Sequence, residues 1–403
     1  MIRVVTCGLS TNYDLGSPSI LHGIYQLLRE IYHDEFEMVN LQIGEVTSIS
    51  VSDMPFQTIS IKEYRAKKFL QVLFLNRKFP GKDGQALEVA FSTIRKADIL
   101  IDLYGICFCD KLTSSSCPTA LLPLYTMLTF PLSCVAKKYH VRSVKNTASY
   151  GPAVSTYSRR SARFAARHLF DCMVAREEKS FQVMRELGVG ERILLSPDTA
   201  NLMPFSGEKH FDRPTVGIST SHQIVRQWRS AEEYVQCVAK LCIHIQKTYG
   251  ADVLLIPNEC EPESNYSDVD VSEDILEILH EMGGDGEVLD ARNMNSTQIK
   301  NHIAACDVMV ASRYHSCVAA LSAGVPLIVI GWHYKYEELL HWYGQDEWLL
   351  SEADCDSHKL IQMFDRLWES KAERKAEIKE HFPEVYRAVI ETGRKMLGVE
   401  DKK

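Results

Sequence analysis

The chain has 403 residues, 45% of them hydrophobic and 24% charged. These are ordinary values for a soluble globular protein, and the length suits two domains rather than one. A formal net charge of −8 excludes a general nucleic-acid or anionic-membrane binder, though a local basic pocket is compatible with it.

The twelve cysteines are scattered, and the opening MIRVVTCGLS reads as a strand rather than an export leader. The most apolar long stretch, Ala120 to Val135, is broken by Pro123 and Pro131. A reducing, cytoplasmic setting with buried thiols and no membrane span is expected. Cys107, Cys109 and Cys117 lack the C-x-x-C spacing and nearby histidine of a zinc site, so no metal is expected.

In chain order, Ile2 to Cys7 reads as a buried strand, Gly8 to Ser19 as a loop rich in turn formers, and Ile20 to Ile31 as a helix. Strand, glycine-bearing loop and helix form the general recipe for an anion cradle. The glycines fit neither the dinucleotide fingerprint nor the P-loop. Asn12, Asp14 and Ser17 are either substrate contacts or turn and cap residues. Glu37 to Leu41 is a second strand, and 48–84 is polar with no clear period. A helix over Leu87 to Lys96 precedes the buried strand Ala97 to Leu103, which ends at Tyr104-Gly105. Asp110, in the loop beyond, is a further candidate. A helix running to Tyr139, the strand VRSVKNTA and the turn Ser149-Tyr150-Gly151-Pro152 follow. Ser161 to Phe170 is a basic amphipathic helix, either solvated or a surface for peripheral membrane contact. The strand Phe170 to Ala175 delivers Arg176 to a helix start, and Arg192 to Ser196 leads to Pro197-Asp198.

The composition turns polar over Met203 to Pro214, the expected linker. A second series of strands and helices begins at TVGIST. It continues through a helix (Tyr234 to Tyr249), the strand ADVLLIP, an acidic loop (Asn258 to Asp270), a helix (Asp274 to Met282), the strand EVLDA and a helix (Ser296 to Ala305). It culminates in DVMVASRYHSCVAALSAGVPLIVIGW. Val308 to Val310 is a strand, SCVAALSAG a small-residue helix closed by Gly324 and Pro326, and LIVIG the next strand. Arg313 and His315 stand at the first strand's carboxyl end with Ser316 beside them. There open α/β sheets take ligands and a helix start favours an anion. Arginine offers a planar fork of donors and histidine titrates near neutrality. The triplet alone fits a capping arginine and a core histidine better than a site. A helix from Tyr334 and the charged segment Ser370 to Met396 end the chain. The expected fold is α/β, with two doubly wound Rossmann-like domains facing a cleft, residues 1–203 and 215–375. Residues 376–403 form a helix that crosses back.

Asp290 to Trp332, DARNMNSTQIKNHIAACDVMVASRYHSCVAALSAGVPLIVIGW, resembles the polysaccharide pyruvyl transferase family, with its "aaCD", S-R-x-H-S and G-V-P elements in order. FDCMVAREEKSFQVMRELGV, SPDTANLMP and SYGPA resemble further family segments. The sequence departs from the family's N-x-G-D loop at Asn12-Tyr13-Asp14-Leu15-Gly16. It departs from a G-G-G or G-G-D strand end at Leu103-Tyr104-Gly105, and has Glu177 where Asp is usual. The resemblance implies a GT-B-like fold and transfer of pyruvate from phosphoenolpyruvate to a sugar as a cyclic ketal, without metal or cofactor. It implies a lipid-linked or nucleotide-linked sugar acceptor, no nucleic acid, and work in the cytoplasm or at the inner membrane face. Arg176 and Arg313 would then hold phosphate and carboxylate, and His315 would be the general acid/base. Asn12, Asp14, Asp110, Tyr150, Asp198 and Ser316 are candidate substrate contacts. The alternatives are a glycosyltransferase of the same shape using a nucleotide-sugar donor, and a non-catalytic sugar-binding protein.

Overall fold

The computed structural model describes residues 1–399 apart from 15, 50, 62–68, 70, 72, 75–81, 110–121, 154, 207–210, 227, 229 and 262–265. Short, nearly continuous apolar runs such as VMVA and LIVIG are the signature of parallel strands covered on both faces. The first sheet contains β1 (Ile2–Cys7), β2 (Phe36–Ile43), β3 (Gln57–Ile61), β4 (Ile99–Asp102), β5 (Ile106–Cys107), β6 (Arg142–Tyr150), β7 (Cys172–Ala175) and β8 (Ile193–Leu195). Its order is β3-β2-β1-β4-β6-β7-β8, with β5 paired to β6. The second contains β9 (Thr215–Ser219), β10 (Asp252–Leu255), β11 (Glu287–Val288), β12 (Val308–Ala311), β13 (Leu327–Gly331) and β14 (Leu349–Ser351), in the order β11-β10-β9-β12-β13-β14. Neighbouring strands within both sheets are parallel, as in the register Val310↔Ile218. Strand order reverses beside β1 and beside β9, which places a ligand crevice at the carboxyl ends of each sheet.

Three differences from the sequence reading have physical causes. The strand β3 lies in the stretch without a clear period, because Ile61 alone of its residues is buried. The helix expected to reach Tyr139 is two helices, Leu122–Thr129 and Pro131–Lys138, since Pro131 has no N–H to donate and starts the second one. The helix expected from Asp274 begins at Asp268. A capping box of Ser267 and Asp270 starts it inside what reads as an acidic loop.

The domains are joined by more than the linker. Ile20, Leu21 and Ile24 of the helix Ser17–Tyr32 share one core with Tyr314, Cys317 and Leu321 of the helix Tyr314–Ser322. The last helix, Ser357–Leu397, is capped by Asp356 and ended by Gly398 at φ +76°. Its first turns pack Phe364 and Leu367 into the second domain, while Val385 and Val389 belong to the core shared with the first. At Gly393 a Cβ would come within 2.5 Å of Leu27 Cδ1, so a larger residue would have to displace that side chain. Arg142 Nη2 donates to the Met396 carbonyl at 3.0 Å, and the Tyr386 hydroxyl to Glu30 at 2.7 Å.

A polar clasp crosses between the domains on another side. The Glu338 carboxylate accepts from the backbone N–H of Glu178 and, at 3.0 Å, of Lys179. It thereby caps the helix Glu178–Glu186 that follows Arg176. Glu338→Ala should cost about 1 kcal/mol, the usual worth of a helix cap. Urea unfolding monitored by circular dichroism should show the midpoint fall.

Candidate active site

A cavity of about 400 Å³ opens between the two sheets, lined from the first domain by Ser10, Asp14 and Arg176 and from the second by Arg313, His315 and Lys335. His315 is the second residue of the helix Tyr314–Ser322. Its opposite wall is Gly16, where a Cβ would sit 2.6 Å from His315 Nδ1. The imidazole is therefore held between domains by close contact. Its Nε2 is buried without a hydrogen-bond partner among the described residues, which leaves it open to a group bound in the cavity. Burial is the main influence on its pKa, lowering it to about 4. The ring is neutral at pH 7 and ready to accept a proton.

Gly16→Ala puts no strain on the backbone, because Gly16 has φ −79°. It should push the imidazole aside, and a displacement near 1 Å can cost roughly 100-fold in rate. Turnover should fall on that order while circular dichroism and thermal unfolding stay near wild type.

Arg313 caps no helix with its side chain. Nε donates to Asp268 Oδ2 at 2.7 Å and Nη2 to Asp268 Oδ1 at 2.5 Å. Glu259 lies 2.8 Å from Nη2. Asp268 also accepts from the backbone N–H of His222 at 2.8 Å and of Glu259 at 2.9 Å. Burial opposes its charge, but Arg313 and these donors prevail and hold its pKa at about 2. Arg176, at the end of β7, is likewise engaged. Nε donates to Ser149 Oγ and Glu177 Oε1, each at 3.0 Å, and Nη1 to Asp198 Oδ2 at 2.9 Å. Its guanidinium also stacks 4.4 Å above the Tyr314 ring centroid. Each arginine is thus paired with two carboxylates, where the sequence reading gave both to the donor's anions.

Lys335 differs and was missed in the sequence. It is 8% exposed, and its ammonium stands over Trp332, Tyr336 and Tyr314 at 4.9, 5.2 and 5.5 Å. Among the described residues this ammonium makes no hydrogen bond or ion pair. Burial, reinforced by the Arg176 charge, lowers its pKa to about 7. The sequence signal was faint: a lysine among aromatics, WHYKY, just past a strand end.

The other candidates divide. Asp14 lines the cavity and accepts from the N–H groups of Gly16 and Ser17 at 3.0 and 3.3 Å. Ser17 lines it too, while Asp198 acts through Arg176. Ser316 is buried behind Arg313, accepting from Ser219 Oγ at 2.8 Å and Asn258 Nδ2 at 2.7 Å. Asn12 bridges loops, accepting from Thr47 N–H at 3.0 Å and donating to the Glu45 carbonyl at 2.9 Å. Tyr150 is fully buried, stacked on Phe108 at 6.2 Å, and does not border the cavity. Asp110 lies outside the described residues. The eleven described cysteines are buried, and no disulfide joins any two of them. Among the described residues no His, Cys, Asp and Glu group could hold a metal, and no helix is long and apolar enough to cross a membrane.

Solved structures share this architecture at low identity. A putative UDP-N-acetylglucosamine 2-epimerase from Listeria monocytogenes aligns with TM-score 0.60 and 11% identity over 94% of this chain and 91% of its own. The S. aureus MnaA–UDP co-structure aligns with TM-score 0.60 and 12% identity over 100% and 99%. The spinosyn rhamnosyltransferase SpnG complexed with thymidine diphosphate gives TM-score 0.52 and 10% identity over 98% and 100%. These likenesses establish a GT-B-like fold of two Rossmann-like domains around a cleft. No curated protein matches the chain. The model of one family, described as polysaccharide pyruvyl transferase, matches residues 20–334, a span that holds Arg176, Arg313 and His315 and ends one residue before Lys335. The chain accordingly belongs to the polysaccharide pyruvyl transferase family and is a pyruvyltransferase-type enzyme acting on a sugar or polysaccharide.

Proposed function

We propose that the cleft binds phosphoenolpyruvate and builds a pyruvate ketal on a sugar, with Lys335 as the principal anion contact and His315 as the proton carrier. The observation that supports this most is one cavity bordered by an unpaired buried ammonium and an imidazole nitrogen without a partner. Arg176 and Arg313 contribute positive potential, but their bonds to Glu177, Asp198, Asp268 and Glu259 make them rigid walls first. For Arg313 to grip the donor carboxylate, Glu259 must give way.

The chemistry balances as follows. A first sugar hydroxyl adds to C2 of the enol and gives up its proton, while C3 gains one and becomes a methyl group. The second hydroxyl then displaces phosphate from C2. Its proton leaves with the phosphate, and the C2–O(phosphate) bond breaks as the second C2–O(sugar) bond forms. Neutral His315 takes a hydroxyl proton and returns it as acid; the negative charge of a bound donor would raise its depressed pKa toward neutrality, where that exchange is efficient. The acceptor is a lipid-linked or nucleotide-linked sugar. Buried free thiols suit a reducing cytoplasm, and the exposed Arg159 and Arg160 on the helix Thr156–His168 offer a weak contact to an anionic membrane face.

Incubation with phosphoenolpyruvate and candidate lipid-linked oligosaccharides, read by mass spectrometry, tests the reading. The expected product has gained pyruvate less one water, with one phosphate released per ketal. Phosphate release without a ketal, or neither, counts against it.

A further inference from the structure

Two carboxylates neutralise Arg313, and they are held very differently. Asp268 is fully buried at the first position of the helix Asp268–Glu281 and takes the Nε and Nη2 hydrogens of Arg313 at 2.7 and 2.5 Å. It also accepts from the backbone N–H groups of His222, Glu259 and Asn258 at 2.8, 2.9 and 3.2 Å. Glu259 borders the cavity, and its side chain is 35% exposed. Its carboxylate lies 2.8 Å from Arg313 Nη2. The two hydrogens of that nitrogen, however, go to Asp268 Oδ1 and His222 Nδ1, at 2.5 and 2.9 Å. Glu259 is therefore held by charge rather than by an aligned hydrogen bond, and is the weaker-held of the pair.

The backbone at Glu259 is pinned, so only its side chain is free to leave. Its N–H is on Asp268 Oδ2, and its carbonyl accepts from the Asp268 N–H at 3.0 Å. The next residue, Cys260, donates to the Tyr13 carbonyl of the other domain at 2.6 Å. Release from Arg313 is then a side-chain rotation with no movement of the loop. Arg313 itself stays in place, because Asp268 keeps its Nε–Nη2 edge. Its Nη1 makes no hydrogen bond among the described residues. An entering carboxylate thus finds the Nη1 hydrogens unused and the place beside Nη2 vacated.

We propose that Glu259 is a resident anion on Arg313, that the donor's carboxylate displaces it, and that this exchange screens which carboxylates the cleft accepts. The proposal rests on the pyruvyl-transfer reading for the identity of the donor but not for the displacement itself. Every carboxylate that uses Arg313 must first expel Glu259, which weakens its binding by a fixed factor. A ligand with a carboxylate alone has nothing to offset that loss. One that also brings a phosphate to Lys335 does. Inorganic phosphate by itself binds at Lys335 and leaves Glu259 where it is. The resident carboxylate thus favours phosphoenolpyruvate over pyruvate, and Glu259 is a positioning residue that acts through Arg313.

The test compares wild type, Glu259→Gln and Glu259→Ala by calorimetry with phosphoenolpyruvate, proton NMR titration of the pyruvate methyl group and phosphorus NMR titration of inorganic phosphate. Both variants keep the backbone bonds of residue 259 and change a partly exposed side chain, so circular dichroism and thermal unfolding should stay near wild type. Affinity for phosphoenolpyruvate and for pyruvate should rise roughly tenfold in both, while that for inorganic phosphate stays within about twofold. The KM for phosphoenolpyruvate should fall by the same factor with kcat within about twofold, a split that loosened packing does not produce. Unchanged, weaker or absent binding of both carboxylates in the variants would overturn the proposal. So would an equal gain for inorganic phosphate, which marks a general charge effect. Pyruvate tightened in the variants, with phosphoenolpyruvate bound by none of the three proteins, would support the exchange and sink the donor reading instead.

Discussion

His315→Ala should lower ketal formation by roughly 100- to 10,000-fold, the usual range for a positioned acid/base group, while phosphoenolpyruvate still binds. The side chain stands between two domains, against Gly16, with Nε2 buried and open to a ligand. Its lowered pKa of about 4 leaves it an uncharged imidazole at neutral pH, so its loss removes a proton carrier rather than an anion contact. Single-turnover assays with saturating donor isolate this step. Calorimetry should find donor affinity within about threefold of wild type, because a neutral ring contributes little to holding a dianion. A His315→Ala enzyme of near wild-type turnover would remove imidazole from the mechanism.

Lys335→Met should weaken phosphoenolpyruvate binding by roughly 10- to 100-fold, corresponding to the ~1.5–3 kcal/mol of a hydrogen bond to a charged group. Methionine keeps the length and the aromatic packing of the stem, so the fold should survive. The pH dependence follows from the sign of the shift. In the free enzyme the Lys335 pKa is depressed to about 7, chiefly by burial. A bound anion raises it. Below pH 7 the ammonium is already present, and affinity is full. Above pH 7 binding must take up a proton, so affinity falls as pH rises, approaching tenfold per unit until the bound-state pKa is reached. The donor's phosphate has its second pKa near 6, so it is about nine-tenths ionised at pH 7, and its remaining ionisation would raise affinity with pH rather than lower it. Titrations between pH 7 and 9 in buffers of different ionisation enthalpy should reveal proton uptake in wild type and a flat profile in Lys335→Met. A flat wild-type profile would mean that Lys335 does not meet the donor.

Much of this was open to reading in the sequence, for reasons particular to each element. The apolar runs of β1, β9, β12 and β13 are covered on both faces, so their composition alone marks them. Gly324 and Pro326 close the helix after His315 by backbone geometry that few other residues supply, and Gly324 does have φ +75°. The position of Arg313 and His315 at a strand end followed from the apolar run Val308 to Val310 just before them. Pairing partners did not. Asp268 reads as part of an acidic loop, yet it is the first residue of a helix and takes both donors of Arg313. Glu177 and Asp198 neutralise Arg176 from 1 and 22 residues away, and no local pattern announces a longer-range partner. Tyr150, a candidate substrate contact in a glycine-proline turn, packs inward on Phe108. Lys335 carries no motif. Its place in the proposal comes from an ammonium without an ion pair among the described residues, and that is visible only once three aromatic rings are folded around it.

The most direct test of the account is calorimetric titration of the wild-type enzyme at pH 7 with phosphoenolpyruvate against UDP-N-acetylglucosamine and thymidine diphosphate. Saturable binding of phosphoenolpyruvate, weakened roughly 10- to 100-fold in Lys335→Met and kept in His315→Ala, with no heat from either nucleotide, is the expected result. Tight binding of a nucleotide and none of phosphoenolpyruvate would contradict it and make the chain a nucleotide-sugar enzyme.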